Sequence, residues 1–158
     1  MLTWEGRRLT GLQYKFSQFH FTYNDQGLRT QKNAMSHTFD YVWDGDTLVS
    51  QRWGNNLFVF LYDENGSPIG LQYRTSDMDE ADFYTYFFEK NLQGDIIGLY
   101  DMDGYCVATY TYDAWGRCTS SMTGEGIYPC DDTVVQYNPF RYRGYYYDTE
   151  TGAVLSAE

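Results

Sequence analysis

Residues 100–116 read Tyr100-Asp101-Met102-Asp103-Gly104-Tyr105-Cys106-Val107-Ala108-Thr109-Tyr110-Thr111-Tyr112-Asp113-Ala114-Trp115-Gly116. An aromatic, an Asp, two free positions and a Gly appear twice, twelve residues apart, with Val, Thr and Tyr between them. Asp opens a turn because its side chain accepts hydrogen bonds from backbone N–H groups ahead of it, and Gly takes the positive φ that closes a hairpin loop or bulge. The residues between are β-formers. The stretch predicts two hairpin tips joined by one strand.

The same signal recurs outward. It stands at Trp4-Glu5-Gly6, at Tyr23-Asn24-Asp25-Gln26-Gly27, at Trp43-Asp44-Gly45 and at Tyr62-Asp63-Glu64-Asn65-Gly66, with aromatic spacings of 19, 20 and 19 residues. One residue longer, it returns at Tyr147-Asp148-Thr149-Glu150-Thr151-Gly152. Asn91-Leu92-Gln93-Gly94 repeats the turn without the aromatic. Phe58-Val59-Phe60-Leu61-Tyr62 and Tyr84-Thr85-Tyr86-Phe87-Phe88 read as strands. The expectation is an all-β chain of ten or more short antiparallel strands, stacked as hairpin repeats. A twenty-residue hairpin cannot bury its own face, so neighbours must bury it for each other.

Composition agrees. Seventeen Tyr, ten Phe and four Trp make a fifth of the 158 residues aromatic, beside fifteen Gly and three Pro. Rings that bury about 150–250 Å² each can offset chain entropy, which argues against disorder. Poor helix formers dominate, which argues against a helical bundle. Eleven Lys and Arg against 22 Asp and Glu give a net charge of −11, a field that repels nucleic acid and anionic lipid. Residues 77–103 alone carry eight acids and one base, Lys90, and the run from 77 to 83 reads as an acidic insertion or linker on a solvated rim. No apolar run is long enough for a membrane span, and the first residues are no signal peptide. Cys106, Cys118 and Cys130, twelve apart, fit neither a disulfide framework nor zinc spacing and suggest equivalent places in a repeat.

At this point the chain resembles a known family. The aromatic-Asp-x-x-Gly units look like YD repeats of the RHS family, and residues 86–116 are similar to the RHS repeat-associated core. The string Asn138-Pro139-Phe140-Arg141-Tyr142-Arg143-Gly144-Tyr145-Tyr146-Tyr147-Asp148-Thr149-Glu150-Thr151-Gly152 resembles the most specific signature of that core. The resemblance divides the chain into YD-type hairpins over 1–76, the insertion over 77–83, a core-like segment over 84–152 and a divergent tail over 153–158. It implies a structural wall, an arc of a shell: in Tc-toxin and teneurin relatives such hairpins build a hollow shell, and in bacterial members the shell encloses a C-terminal effector. The partners implied are the rest of the shell and that effector, and the localisation is secreted or cell-surface. After Gly152 the family's self-cleavage stretch does not follow, so the chain looks truncated before it, and no protease activity carries over.

No enzyme and no cofactor or metal is expected. His20 and His37 lack a third ligand, Ser120, Ser121 and Cys118 lack a nucleophile context, and Asp101 with Asp103 or Asp131 with Asp132 are better read as turn and loop residues. Arg141 and Arg143 alternate about Tyr142 on an expected strand and so face one side. The alternative function is a carbohydrate- or choline-binding module built on ring stacking, for which residues 60–73 could pass. Open strand edges also lead us to expect self-association.

Overall fold

The computed structural model of the chain describes residues 1–126, 132–148 and, as backbone, 153–155. It is all-β. Twelve strands run β1 (Leu2–Glu5), β2 (Arg8–Tyr14), β3 (Ser17–Tyr23), β4 (Arg29–Ala34), β5 (His37–Asp44), β6 (Thr47–Trp53), β7 (Asn56–Tyr62), β8 (Pro68–Thr75), β9 (Tyr84–Lys90), β10 (Ile96–Tyr100), β11 (Cys106–Tyr112) and β12 (Cys118–Met122). They form one sheet in which every strand lies beside its neighbour in sequence. A short helix, α1 (Asp132–Tyr137), and a separate antiparallel pair, β13 (Tyr146–Asp148) with β14 (Ala153–Leu155), follow. Residues 77–82 lie in the connection between β8 and β9.

By contacts the chain divides into two compact units, Met1–Phe60 with Tyr73–Asp82, and Leu61–Gln72 with Phe83–Glu158. In the first, the meander explains the twenty-residue spacing. Up one strand and down the next returns the chain to the same sheet end, so the turns of Gly6, Gly27 and Gly45 share one end, and the tight turns between β2 and β3, β4 and β5, and β6 and β7 share the other. Gly45 sits at φ 56° between the paired residues Asp44 and Thr47, where an L side chain is strained.

One face of this unit is packed and the other is wet, as period-2 burial on β3 and β5 shows. The packed face is a row of rings crossing the strands. Phe21 stands opposite Lys32, Lys32 opposite Phe39, and Phe39 opposite Trp53. Phe39 stacks on Trp53 at 5.6 Å, and Trp53 meets Phe58 edge-on at 4.7 Å. Lys32, 1% exposed, places its ammonium 4.1 Å from the Phe39 ring centre, and Arg29 lies 4.2 Å from that of Phe21. Between rings, a cation gains about 2 kcal/mol or more from the quadrupole once desolvated, which offsets part of the cost of burial.

In the second unit Leu71, Tyr86, Ile96, Leu99, Val107, Ala108 and Tyr110 are buried, as are Val134 and Val135 of α1 and Phe140, and Tyr110 Oη donates to Val135 O. Here β8 and β9 approach so closely that a Cβ on Gly70 would lie 2.3 Å from the Tyr86 carbonyl oxygen. Gly66, by contrast, has open space around it and only its positive φ of 78° to defend. Gly66→Ala should therefore cost about 1 kcal/mol in urea denaturation, and Gly70→Ala about 2–3 kcal/mol, because the strands must part. Equal costs would mean that the β8–β9 contact yields freely.

Candidate functional site

Four turns repeat one hydrogen-bond set atom for atom, and a fifth, at Asn24, shares most of it. In the Asp63 turn, Oδ1 accepts from the N–H of Asn65 and of Ser67 at 2.9 Å each, Gly66 N–H donates to Asp63 O at 3.0 Å, and Asp63 N–H donates to Ser67 O at 3.0 Å. Asp101, with Gly104 closing, binds the N–H groups of Asp103 and Tyr105, and Asp113, with Gly116 closing, those of Trp115 and Arg117. Asn91 does the same for Gln93 and Asp95, and Asn24 Oδ1 accepts from Leu28 N–H while Gly27 N–H returns to Asn24 O. The side-chain oxygen satisfies the donors that the tip leaves unpaired. Trp115 at one such tip is 84% exposed.

Three of the aromatics that precede a turn do something the sequence does not reveal. Tyr23 Oη donates to Leu9 O at 2.8 Å, Trp43 Nε1 to Arg29 O at 2.7 Å, and Tyr112 Oη to Ile96 O at 2.6 Å. Each acceptor lies near the start of the preceding strand, two or three residues after a turn glycine. A polar atom at the far end of a flat ring thus ties one hairpin to the one before. That requirement admits Tyr and Trp and leaves out Phe. Register shifts fall at Trp4, Tyr23, Trp43 and Tyr100 within their own hairpins, and such bulges re-aim a side chain. Tyr62 turns its ring edge-on to Phe140 at 6.1 Å.

The signature string is a clamp. Asn138, fully buried, ends α1: its N–H bonds Val134 O, its Oδ1 accepts from Phe140 N–H, and its Nδ2 donates to Phe140 O at 3.0 Å. Pro139 forbids a further turn of helix, and its carbonyl accepts from Tyr147 N–H. Phe140 fills the space beside Tyr62 and Phe88. Arg141, 4% exposed, donates from Nε to Asn138 O at 3.1 Å and from one Nη to Val135 O at 3.2 Å and Gln136 O at 2.5 Å. Its guanidinium lies 4.8 Å from the Tyr147 ring centre and 5.3 Å from that of Tyr110, whose hydroxyl also donates to Val135 O. The carbonyl end of a helix is a favourable place for a cation. The segment is then sewn to β10: Ile96 N–H donates to Arg141 O, and Arg143 N–H to Asp95 Oδ1, both at 2.9 Å. Tyr142 sits 6.0 Å from the Tyr112 ring and beside Gly116, where the positive φ of 78° and not the space is what favours glycine. Asp148 is buried on β13, while Gly152 lies outside the described residues.

The strand expected through Arg141 and Arg143 is not there. Tyr142–Gly144 is a 3-10 turn with Arg143 at φ 52° and Gly144 at φ 68°, so the two arginines do not share a strand face. Tyr145 N–H closing on Tyr142 O and Gly144 N–H on Arg141 O hold the turn. Helix α1 was also unforeseen, although Asp132 in its first turn and the Asn138-Pro139 stop are ordinary helix punctuation. Thr133, Val134 and Val135 are β-formers, which weakens any helix signal there.

The candidates for chemistry are dispersed. His20 and His37 line one shallow groove, and among the described residues no group of three His, Cys, Asp or Glu could hold a metal. Asp101 is engaged by its own turn. Cys106 and Cys118 each stand two residues after a turn glycine, an equivalent place in successive hairpins, and both are free thiols. Burial pushes the Cys118 thiol up, away from the thiolate that a nucleophile needs. Ser120 and Ser121 lie on β12, while Cys130 and Asp131 fall outside the described residues. In residues 60–73 the rings that a glycan would need are used within the protein: Tyr73 is 2% exposed and donates its hydroxyl to Asn56.

No family model matches the chain. It is 31% identical over 137 residues to the tRNA3(Ser)-specific nuclease WapA of Bacillus spizizenii and 33% identical over 137 residues to the tRNA nuclease WapA of Bacillus subtilis, in each case over 84% of this chain. It spans only 5% of the length of those relatives. Among solved structures, the crystal structure of TcdB2-TccC3-Cdc42 matches 97% of this chain with a TM-score of 0.67 at 15% identity, over 8% of that chain's length. That likeness is one of fold. The sequence relatives are thus named as tRNA nucleases, and the structural neighbour shares the fold of this chain.

Three measurements follow from the geometry. Tyr23→Phe should lower stability by about 1 kcal/mol in urea denaturation, by stranding the Leu9 carbonyl, whereas a null effect would mean that water takes over the bond. Arg141→Met should cost about 2–3 kcal/mol, because carbonyls from α1 and Asn138 lose a charged donor. Tyr100 is pushed up to about 12, first by its hydrogen bond to Glu89 and then by the neighbouring Cys106, and burial raises Tyr62 and Tyr112. Raised phenols favour the protonated form in the fold, so their contribution is complete below the ordinary value of about 10 and is lost as pH climbs past it. Tyrosinate absorbance should rise in an early class and a late class, the late one coinciding with loss of near-ultraviolet dichroism.

Proposed function

We propose that this chain is a wall segment of an RHS/YD-repeat toxin shell, acting by structure and not by turnover, and that in the intact protein the shell encloses a C-terminal effector. The observation that carries the reading is the coupling of hairpin to hairpin through the tip aromatics, joined to a clamp at Asn138–Arg141 in which the polar groups serve packing. A wall needs that: each strand finds its pairing partner in the next hairpin, and strand edges are hidden along the array. The named relatives cleave tRNA, and we assign that chemistry to parts of them beyond the small fraction that this chain matches. Toxin relatives of this kind support a secreted or cell-surface setting for the intact protein, and no helix among the described residues is long and apolar enough to cross a membrane.

The test sets residues 1–158 in a complete repeat shell that carries a C-terminal cargo. The cargo should resist a protease that rapidly digests the same cargo alone, and Arg141→Met should expose it while the wall stays largely intact. Digestion of the cargo at its free rate beside an undigested wall would overturn the reading.

A further inference from the structure

The groove at the β2–β3 and β4–β5 turns is built differently from the rest of the molecule. Its volume is about 490 Å³, within the usual range for ligand sites of roughly 300–1,000 Å³. In a chain with a net charge of −11, none of its lining side chains is an Asp, Glu, Lys or Arg. Its floor is a registered row on the wet face of the sheet: His20 on β3 stands opposite Asn33 on β4, and Asn33 opposite Thr38 on β5. Gln18, two residues before His20, shares that face.

The floor is fixed in advance by a relay of side-chain hydrogen bonds. Thr38 Oγ1 donates to Asn33 Oδ1 at 2.6 Å, Asn33 Nδ2 to Gln31 Oε1 at 3.2 Å, and Gln31 Nε2 to Asp40 Oδ1 at 2.9 Å. The Asp40 carboxylate, outside the groove, accepts at the end of the chain and so sets which way each amide points. His37 is held at the rim by its 2.7 Å contact between Nδ1 and Ser36 Oγ. Beside this polar floor stands Phe16, 94% exposed at the tip of a tight turn, a bare ring where packing asks for none. Amides, a hydroxyl and imidazoles in fixed positions, with an apolar ring at the edge and no charge, match a polyhydroxyl ligand that presents both O–H groups and a C–H face.

We propose that this groove binds an uncharged saccharide chain, with Phe16 stacking on a sugar face and Gln18, His20, Asn33, His37 and Thr38 meeting its hydroxyls. The site is independent of the wall reading, since its groups take no part in the tip couplings or the clamp; His20, Asn33 and Thr38 lie on the wet face, and His37, 6.5 Å from the Phe39 ring, closes the groove from the sheet end. Cellohexaose and maltoheptaose serve as neutral probes and a galacturonic acid hexamer as the anionic one, each titrated into the full chain while the imidazole proton resonances of His20 and His37 are followed. Either neutral probe should shift both resonances with a millimolar Kd, and Phe16→Ala should weaken that binding about tenfold or more. Trp115→Ala, which removes an equally bare ring from a different tip, should leave it unchanged. Still resonances with both neutral probes, binding that survives Phe16→Ala or falls with Trp115→Ala, or binding of the anionic hexamer equal to that of the neutral ones, would each overturn the proposal.

Discussion

A lone β-hairpin in water is marginal at best, so a chain made of hairpins stands or falls on what joins them. Here the joint is a hydrogen bond at the end of a ring. Tyr23, Trp43 and Tyr112 each carry enough flat apolar surface to pack between strands and one donor at the far end to find a carbonyl of the hairpin before. The apolar body supplies driving force without direction, and the donor supplies direction at small net energy, about 1 kcal/mol each. Together they make register a property of the array, because a hairpin slipped by one residue would turn its ring to the other face.

The turns make that joint possible. The side-chain oxygens of Asp63, Asn91, Asp101 and Asp113 each hold two backbone N–H groups and that of Asn24 holds one, so the tip is shaped by its own five residues. Where a ring finds its carbonyl, at Tyr23, Trp43 and Tyr112, local and long-range preferences agree, which is the condition for a sequence to specify one structure. The clamp departs from this pattern. Asn138 and Arg141 are buried, yet they serve backbone carbonyls and N–H groups that a helix stop and a left-handed turn would otherwise strand.

This division decides what was legible in the sequence. Turns such as Asp101-Met102-Asp103-Gly104 could be read because their chemistry is complete within five residues, and β-formers between them implied strands in chain order. The acceptors of Tyr23 and Tyr112 could not be read, because a hydroxyl fourteen or sixteen residues from its carbonyl leaves no local trace. Lys32 lies 1% exposed, which no local pattern announces, since only the register that places it between Phe21 and Phe39 makes burial tolerable. Arg141 and Arg143 were misread for the opposite reason: alternation with Tyr142 suggested a strand, but Gly144 and the needs of a helix end outweighed it. His20 and His37 did converge on one groove, though across strands, where spacing in sequence carries no information.

Charge follows from the same packing. Of eleven Lys and Arg residues, Arg29, Lys32 and Arg141 are buried against rings or helix carbonyls. Cations withdrawn from the surface leave it more acidic than the net charge alone implies. For a sheet that presents long strands, this acidity has a physical use: like charge opposes edge-to-edge pairing between copies, which backbone hydrogen bonding would otherwise favour. Rings inside thus demand cations inside, and cations inside keep the outside negative. Against those three cations two acids, Asp95 and Asp148, are buried among the described residues, so the surface keeps its acidic excess.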